Sequence, residues 1–118
     1  MANVKFDSNS RVSLSNADSG ANNTVFGKLA GNLLASGDTQ NVFIGENVAD
    51  ADMTNAVNNT GVGYNSLGAL TSGENNVAIG HNALDANESG DLNVAVGKDA
   101  LGAFIGSASI AIGREALR

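Results

Sequence analysis

Apolar residues in this chain come in short runs, each closed by a glycine and opened by asparagine or serine. Three runs are nearly identical: Asn76-Val77-Ala78-Ile79-Gly80, Asn93-Val94-Ala95-Val96-Gly97 and Ser109-Ile110-Ala111-Ile112-Gly113. Looser copies centre on Gly27, Gly45 and Gly63, and the intervals between the six glycines are 18, 18, 17, 17 and 16. A period of this length marks a stacked repeat, each copy being one unit that cannot bury its apolar side chains alone.

Numbered from its glycine, each copy alternates. Positions −3 (Thr24, Val42, Thr60, Val77, Val94, Ile110) and −1 (Phe26, Ile44, Val62, Ile79, Val96, Ile112) are almost all β-branched. Position −2 (Val25, Phe43, Gly61, Ala78, Ala95, Ala111) is small in the last four copies. The period of two predicts a strand, apolar on both faces: one face fills the interior of the coil and the other meets a close neighbour. After the glycine, +3 is mostly small (Ala30, Val48, Ser66, Ala83, Ala100, Ala116) and +4 is leucine at Leu67, Leu84, Leu101 and Leu117. A second turn signal falls at Gly37, Asn55, Gly73, Gly90 and Gly106, residue types that tolerate a left-handed backbone.

Two short strands and two corners in about 17 residues predict a parallel β-solenoid. A helix over Asn82–Ala86 is rejected, because no helical period survives the glycines. With one strand spacing of rise per coil, about six coils stack to roughly 25–30 Å. Stacking aligns equivalent positions, so Asn23, Asn41, Asn59, Asn76 and Asn93 at −4, with Ser109, predict a structural ladder of side-chain amides.

Residues 1–22 break the repeat. Val4 and Phe6, then Val12 and Leu14, alternate with polar residues around the turn-like Asp7-Ser8-Asn9-Ser10, which predicts two short strands and the best candidate for docking onto a larger assembly. Residues 23–118 form the repeat domain, and Arg114, Glu115 and Arg118 put charge on its last half-coil, where charge discourages edge-to-edge growth.

Composition narrows the partners. With four Phe, one Tyr and no Trp, a lone chain has a thin core, and oligomerisation is expected. A net charge of −6 argues against nucleic acid, which needs a basic footprint. No apolar run approaches a membrane span or a secretory signal, and the absence of cysteine excludes disulfides and thiolate metal sites.

The phrase running from Asn76 to Ala83, Asn93 to Ala100 and Ser109 to Ala116 resembles the head repeats of trimeric autotransporter adhesins of the YadA-like family. In wording, Asn59 to Leu67 followed by Ser72-Gly73-Glu74-Asn75-Asn76 is similar to repeats in virion structural proteins of tailed phages, especially marine and cyanobacterial ones. The resemblance implies a left-handed parallel β-roll in a tight homotrimer. These coils are longer than adhesin repeats, and the sequence shows nothing like an adhesin's signal, coiled-coil stalk or anchor. The first expectation is therefore a stand-alone virion component, and the second an adhesin head fragment.

Other chemistry is weaker. Ile79-Gly80-His81-Asn82-Ala83-Leu84 also fits the hexapeptide pattern of left-handed β-helix acyltransferases, but those coils hold three hexapeptides and these hold one. His81 shares the +1 column with Lys28, Glu46, Tyr64, Lys98 and Arg114, which predicts an exposed side chain without a nucleophile beside it. Calcium is a remote reading of the acidic stretches Asp50–Asp52 and Asp85–Asp91, which read first as solvated turns. Threonines form no regular ladder for ice, and the glycines belong to corners rather than to a phosphate cradle.

The sequence thus predicts an all-β, left-handed parallel β-solenoid of about six short coils, homotrimeric and non-enzymatic. No catalytic, cofactor or metal site is expected. Its place would be on a virion, as a capsid decoration or cement trimer or a short fibre or knob, with the larger virion assembly and a host-surface receptor as partners. Either the small side chains at −2 or the leucines at +4 are expected to face the three-fold axis.

Overall fold

The structure, a computed structural model, describes residues 10–14 and 22–118. The strand expected at Val4–Phe6 lies outside the described residues. Seven strands form one sheet in chain order: β1 (Ser10–Leu14), β2 (Thr24–Lys28), β3 (Val42–Ile44), β4 (Thr60–Val62), β5 (Val77–Ile79), β6 (Val94–Val96) and β7 (Ile110–Ile112). β2 to β7 are parallel and in strict register, Val25 on Phe43 on Gly61 on Ala78 on Ala95 on Ala111. Six parallel strands enclose five complete turns of a β-solenoid. β1 runs antiparallel along β2, pairing Val12 with Phe26, and so covers the first edge of the stack.

Each coil has one strand, not the two expected. The return leg carries only an isolated bridge, Thr39 to Val57. It is nevertheless held coil to coil by backbone bonds such as Asn75 N to Val57 O (2.9 Å) and Leu92 N to Glu74 O (3.0 Å). Left-handed backbone interrupts it too often for a ladder to extend. Gln40, Asn58, Asn75, Leu92 and Ala108, all at −5, have φ between 56° and 61°.

The left-handed corners are not reserved for glycine and asparagine. Leu67, Leu84 and Leu101 at +4 have φ of 52° to 56° and are fully buried. Their cost, ~1–2 kcal/mol each, is offset by burial of the leucine and by a bond from its N–H to the next coil, 2.9–3.0 Å onto Ala83, Ala100 and Ala116. The glycine at position 0 is a stricter requirement. Its φ lies between 124° and 138° in all six copies, and a Cβ on Gly80 would sit 2.5 Å from the carbonyl oxygen of Gly97.

The interior is filled by −2, +3 and +4 together: Val25, Phe43, Ala78, Ala95 and Ala111 from the strand, and Ala83, Leu84, Ala100 and Leu101 from the opposite corner. Neither the small −2 column nor Leu67, Leu84 and Leu101 face outward, which corrects the expectation that one of these columns lies on a three-fold axis. The coil is too thin to house two opposed β-branched columns, so the stiff Val and Ile side chains take the outside. Volume is balanced between neighbours: Phe43 is followed by Gly61, where a Cβ would press to 2.6 Å from Val48 Cγ1.

Candidate interaction surface

The −4 asparagines are the framework of the surface. Each is buried and makes two kinds of bond. Its Oδ1 accepts from the backbone N–H of its counterpart in the next coil: Asn41 to Asn23 (2.9 Å), Asn59 to Asn41 (2.8 Å), and 3.0 Å for Asn76 to Asn59, Asn93 to Asn76 and Ser109 to Asn93. Its Nδ2 donates across its own coil, to the carbonyls of Asp38, Ala56, Gly73, Gly90 and Gly106 in turn, at 2.7–2.9 Å. One side chain thus closes a coil and sets the height of the next.

These acceptors correct the register of the second corner. They all lie at −7 from the following glycine, so the equivalents of Gly73 are Asp38 and Ala56, not Gly37 and Asn55. Asp38 supports its corner with its carboxylate, accepting from Ala35 N (2.6 Å) and Ala56 N (2.8 Å). All variation in coil length falls in the return leg between +5 and this corner, which shortens from Asn32–Gly37 in the first coil to Gly102–Ile105 in the fifth. The sheet is untouched by it.

A second ladder, not anticipated from the sequence, runs along +2. Asn65 Nδ2 donates to Asn82 Oδ1 (3.1 Å), and Asn82 Nδ2 to Asp99 Oδ1 (3.2 Å). The constant register of Asn47, Asn65, Asn82 and Asp99 was its signal. Lys98, 3.0 Å from Asp99, holds that carboxyl below its ordinary range, while burial pushes Asp85 upward.

Beyond the interior and the two ladders lies the outer sheet face. It comprises the −3 and −1 columns from Thr24 to Ile112, with no charged side chain and none fully buried. Phe26, Ile44, Ile79, Ile110 and Ile112 expose 39–71 % of their surface. Solvated sheets present polar side chains outward; an uninterrupted, mostly β-branched face on a chain of charge −6 is the feature that asks for a partner. On one side it is bordered by the +1 column, with Lys28 bonded to Glu46 (3.2 Å) and Tyr64 stacked on His81 (ring centroids 5.1 Å apart). His81 is exposed there, as expected. On the other side it is bordered by positions −5 and −6, among them Glu74, Asn75, Asp91 and Leu92.

Other features gather less. A shallow cavity of about 250 Å³ lies at Ala86, Glu88, Ser89 and Ile105 on the return leg. Among the described residues, no group of three or more His, Asp or Glu is placed to hold a metal ion, and Asp91 Oδ1 instead accepts from Glu74 N (2.8 Å). No helix among the described residues is long and apolar enough to cross a membrane. No family model matches this chain, and neither a curated protein nor a solved structure matches it.

Proposed function

We propose that the chain is a non-enzymatic structural module that assembles through its outer sheet face into a homotrimer, a left-handed β-roll, and serves as a surface component of a tailed-phage virion. The observation that carries the assembly is the uncharged, mostly β-branched face on an otherwise acidic solenoid. Six strands about 4.8 Å apart and two side-chain columns give a strip of roughly 300 Å². That matches the largest apolar patches tolerated on monomers and falls short of the ~800 Å² per partner of a stable interface. A second copy supplies an identical apolar strip and a matching rise per coil, so it fits this face better than an unrelated partner. The virion role, as decoration, cement or short fibre, is supported by the resemblance of the repeats and by loop-length variation confined to the return leg, where loops can change without disturbing assembly. Residues 1–22 are the docking segment in this reading.

The test is absolute mass by light scattering across a dilution series, for the wild type and Ile79→Asp. The expected result is a trimer for the wild type and a folded monomer for the variant. A wild-type monomer at every concentration overturns the assembly. Immunogold electron microscopy of purified phage particles tests the placement, and unlabelled particles overturn it.

A further inference from the structure

The two edges of the sheet differ. β1 covers the first, whereas β7 has no strand beside its outer edge among the described residues. We infer that this edge takes the same edge of a second copy, β7 against β7 in antiparallel pairing about a two-fold axis at Ala111, so that two solenoids join end to end. The contact is separate from the sheet face proposed above.

The −4 ladder shows what the edge does not take. Each asparagine looks forward along the chain. Asn93 Nδ2 closes its coil at Gly106 O (2.9 Å), and its Oδ1 accepts from Ser109 N (3.0 Å) at the start of the next. Ser109 has no amide with which to seat a further coil, and its hydroxyl turns to Ser107 O (3.4 Å). A parallel coil would dock here without the side-chain bonds that hold the others. An antiparallel strand has no use for them, because it sets Gly113 of the second copy opposite Ser109.

The backbone of the edge is self-complementary. Within the stack, positions −3 and −1 turn their backbone groups to the following coil: Val94 N donates to Ser109 O (2.8 Å), and Ile79 O accepts from Gly97 N (2.8 Å). Ile110 and Ile112 hold these places in β7. Beside them the space is open: a Cβ on Gly113 would meet nothing within 4 Å, where each earlier position-0 glycine would meet the glycine of the next coil. Pairing about Ala111 sets Ile110 of one copy opposite Ile112 of the other, and each such pair exchanges both of its backbone bonds. An open edge of this kind is a template for pairing.

The side chains at this end suit the same axis. Ile105, Ile110, Ile112 and Leu117 expose 65–77 % of their surface, whereas Leu67, Leu84 and Leu101, the +4 leucines of earlier coils, are fully buried. Ile105 lies six residues before Ala111 and Leu117 six after, so the two-fold carries each towards the other in the second copy. Ala108 falls opposite Arg114 and Ser107 opposite Glu115, so like charges do not meet. Arg114 and Glu115 also bond one another (3.0 Å), which weakens the charge expected to keep this edge apart. The contact is small beside the ~800 Å² per partner of a stable interface. The ends therefore pair when the protein is concentrated and part on dilution.

The test uses the full chain, which has no cysteine of its own. Directly opposed residues between the bonded pairs have Cα atoms about 4.5 Å apart, within disulfide reach. Ala111→Cys should therefore give a covalent dimer under mild oxidation, and Ala95→Cys, one coil back in the same column, should give none. Only a two-fold brings residue 111 of both copies together, and Ala111 is too buried for chance collisions to link it. In the wild type, amide exchange at Ile110 and Ile112 should slow as the protein is concentrated, in step with a doubling of mass. A folded Ala111→Cys chain that does not link, or amides that exchange no more slowly on concentration, overturns the inference. Ala111→Cys combined with Ile79→Asp should link equally. A wild type that passes only from monomer to dimer thus overturns the sheet-face assembly and leaves the end contact standing, and a wild-type trimer without the link does the reverse.

Discussion

Removing one rung of the −4 ladder should show how much each coil depends on its neighbours. Asn59→Ala deletes an Oδ1 that accepts from Asn76 N (3.0 Å) and Asn76 Nδ2 (3.1 Å), and an Nδ2 that donates to Gly73 O (2.8 Å). Asn76 Nδ2 keeps its bond to Gly90 O. Two backbone groups, the Asn76 N–H and the Gly73 carbonyl, therefore lose their side-chain partner in a site where Asn59 and Asn76 are fully buried. At ~1–3 kcal/mol for each buried group left unpaired, the loss is about 2–6 kcal/mol, with the low end reached if a water enters the space vacated by the amide. That is a large share of the ~5–15 kcal/mol of a small domain. Urea unfolding followed by far-UV circular dichroism measures it, with all variants at one protomer concentration because association adds stability. Ser109→Ala is the internal control: its hydroxyl reaches only Ser107 O, at 3.4 Å and exposed, and its loss should stay below about 0.5 kcal/mol. A cost for Asn59→Ala under about 1 kcal/mol, or equal to that of Ser109→Ala, would refute the view that the ladder holds the coils together.

Two further substitutions read the interior and the acidic cluster. Ser66 is fully buried and its Oγ has no hydrogen-bond partner, whereas Ala30, Ala83, Ala100 and Ala116 occupy the same position in other coils. Ser66→Ala should therefore stabilise by about 1–2 kcal/mol, seen as a higher urea midpoint at unchanged slope; a lower midpoint contradicts it. Burial raises the Asp85 pKa above its ordinary value, so the folded chain favours the protonated acid and gains stability as pH falls through the raised pKa towards the ordinary one. Asp85→Asn should be more stable than the wild type near neutral pH, and the gap should close below the ordinary carboxylate range. Asp99 works in the opposite sense: its pKa is lowered, chiefly by the Lys98 hydrogen bond, so its contribution is present above the ordinary range and lost in acid. The difference between wild type and Asp85→Asn therefore isolates Asp85 better than either pH curve, and a gap that widens in acid would reject the assignment.

The sequence by itself determined the coil. The regularly recurring glycine, the alternation before it and the asparagine at −4 are local and repeated. Stacking then has one solution, with like above like, which places strands β2 to β7 and the −4 ladder. The +2 ladder was equally legible in Asn65, Asn82 and Asp99. The second corner keeps no constant distance from the preceding glycine, because the leg between them varies in length. The acceptors of the asparagine Nδ2 groups are fixed from the following glycine instead.

Which face points inward was decided only by the tertiary structure. Alternation separates −2 from −3 and −1 but carries no sign, since all three positions are mostly apolar. The sign comes from space. Leucines at +4 cross the interior from the opposite corner, and what remains beneath the strand admits alanine, a single Val25, or one Phe43 over Gly61, but not two β-branched columns. The Val and Ile side chains that look most like a core in one dimension thus form the outer face. The physical reason is the volume enclosed by a coil of this length, which no residue specifies alone.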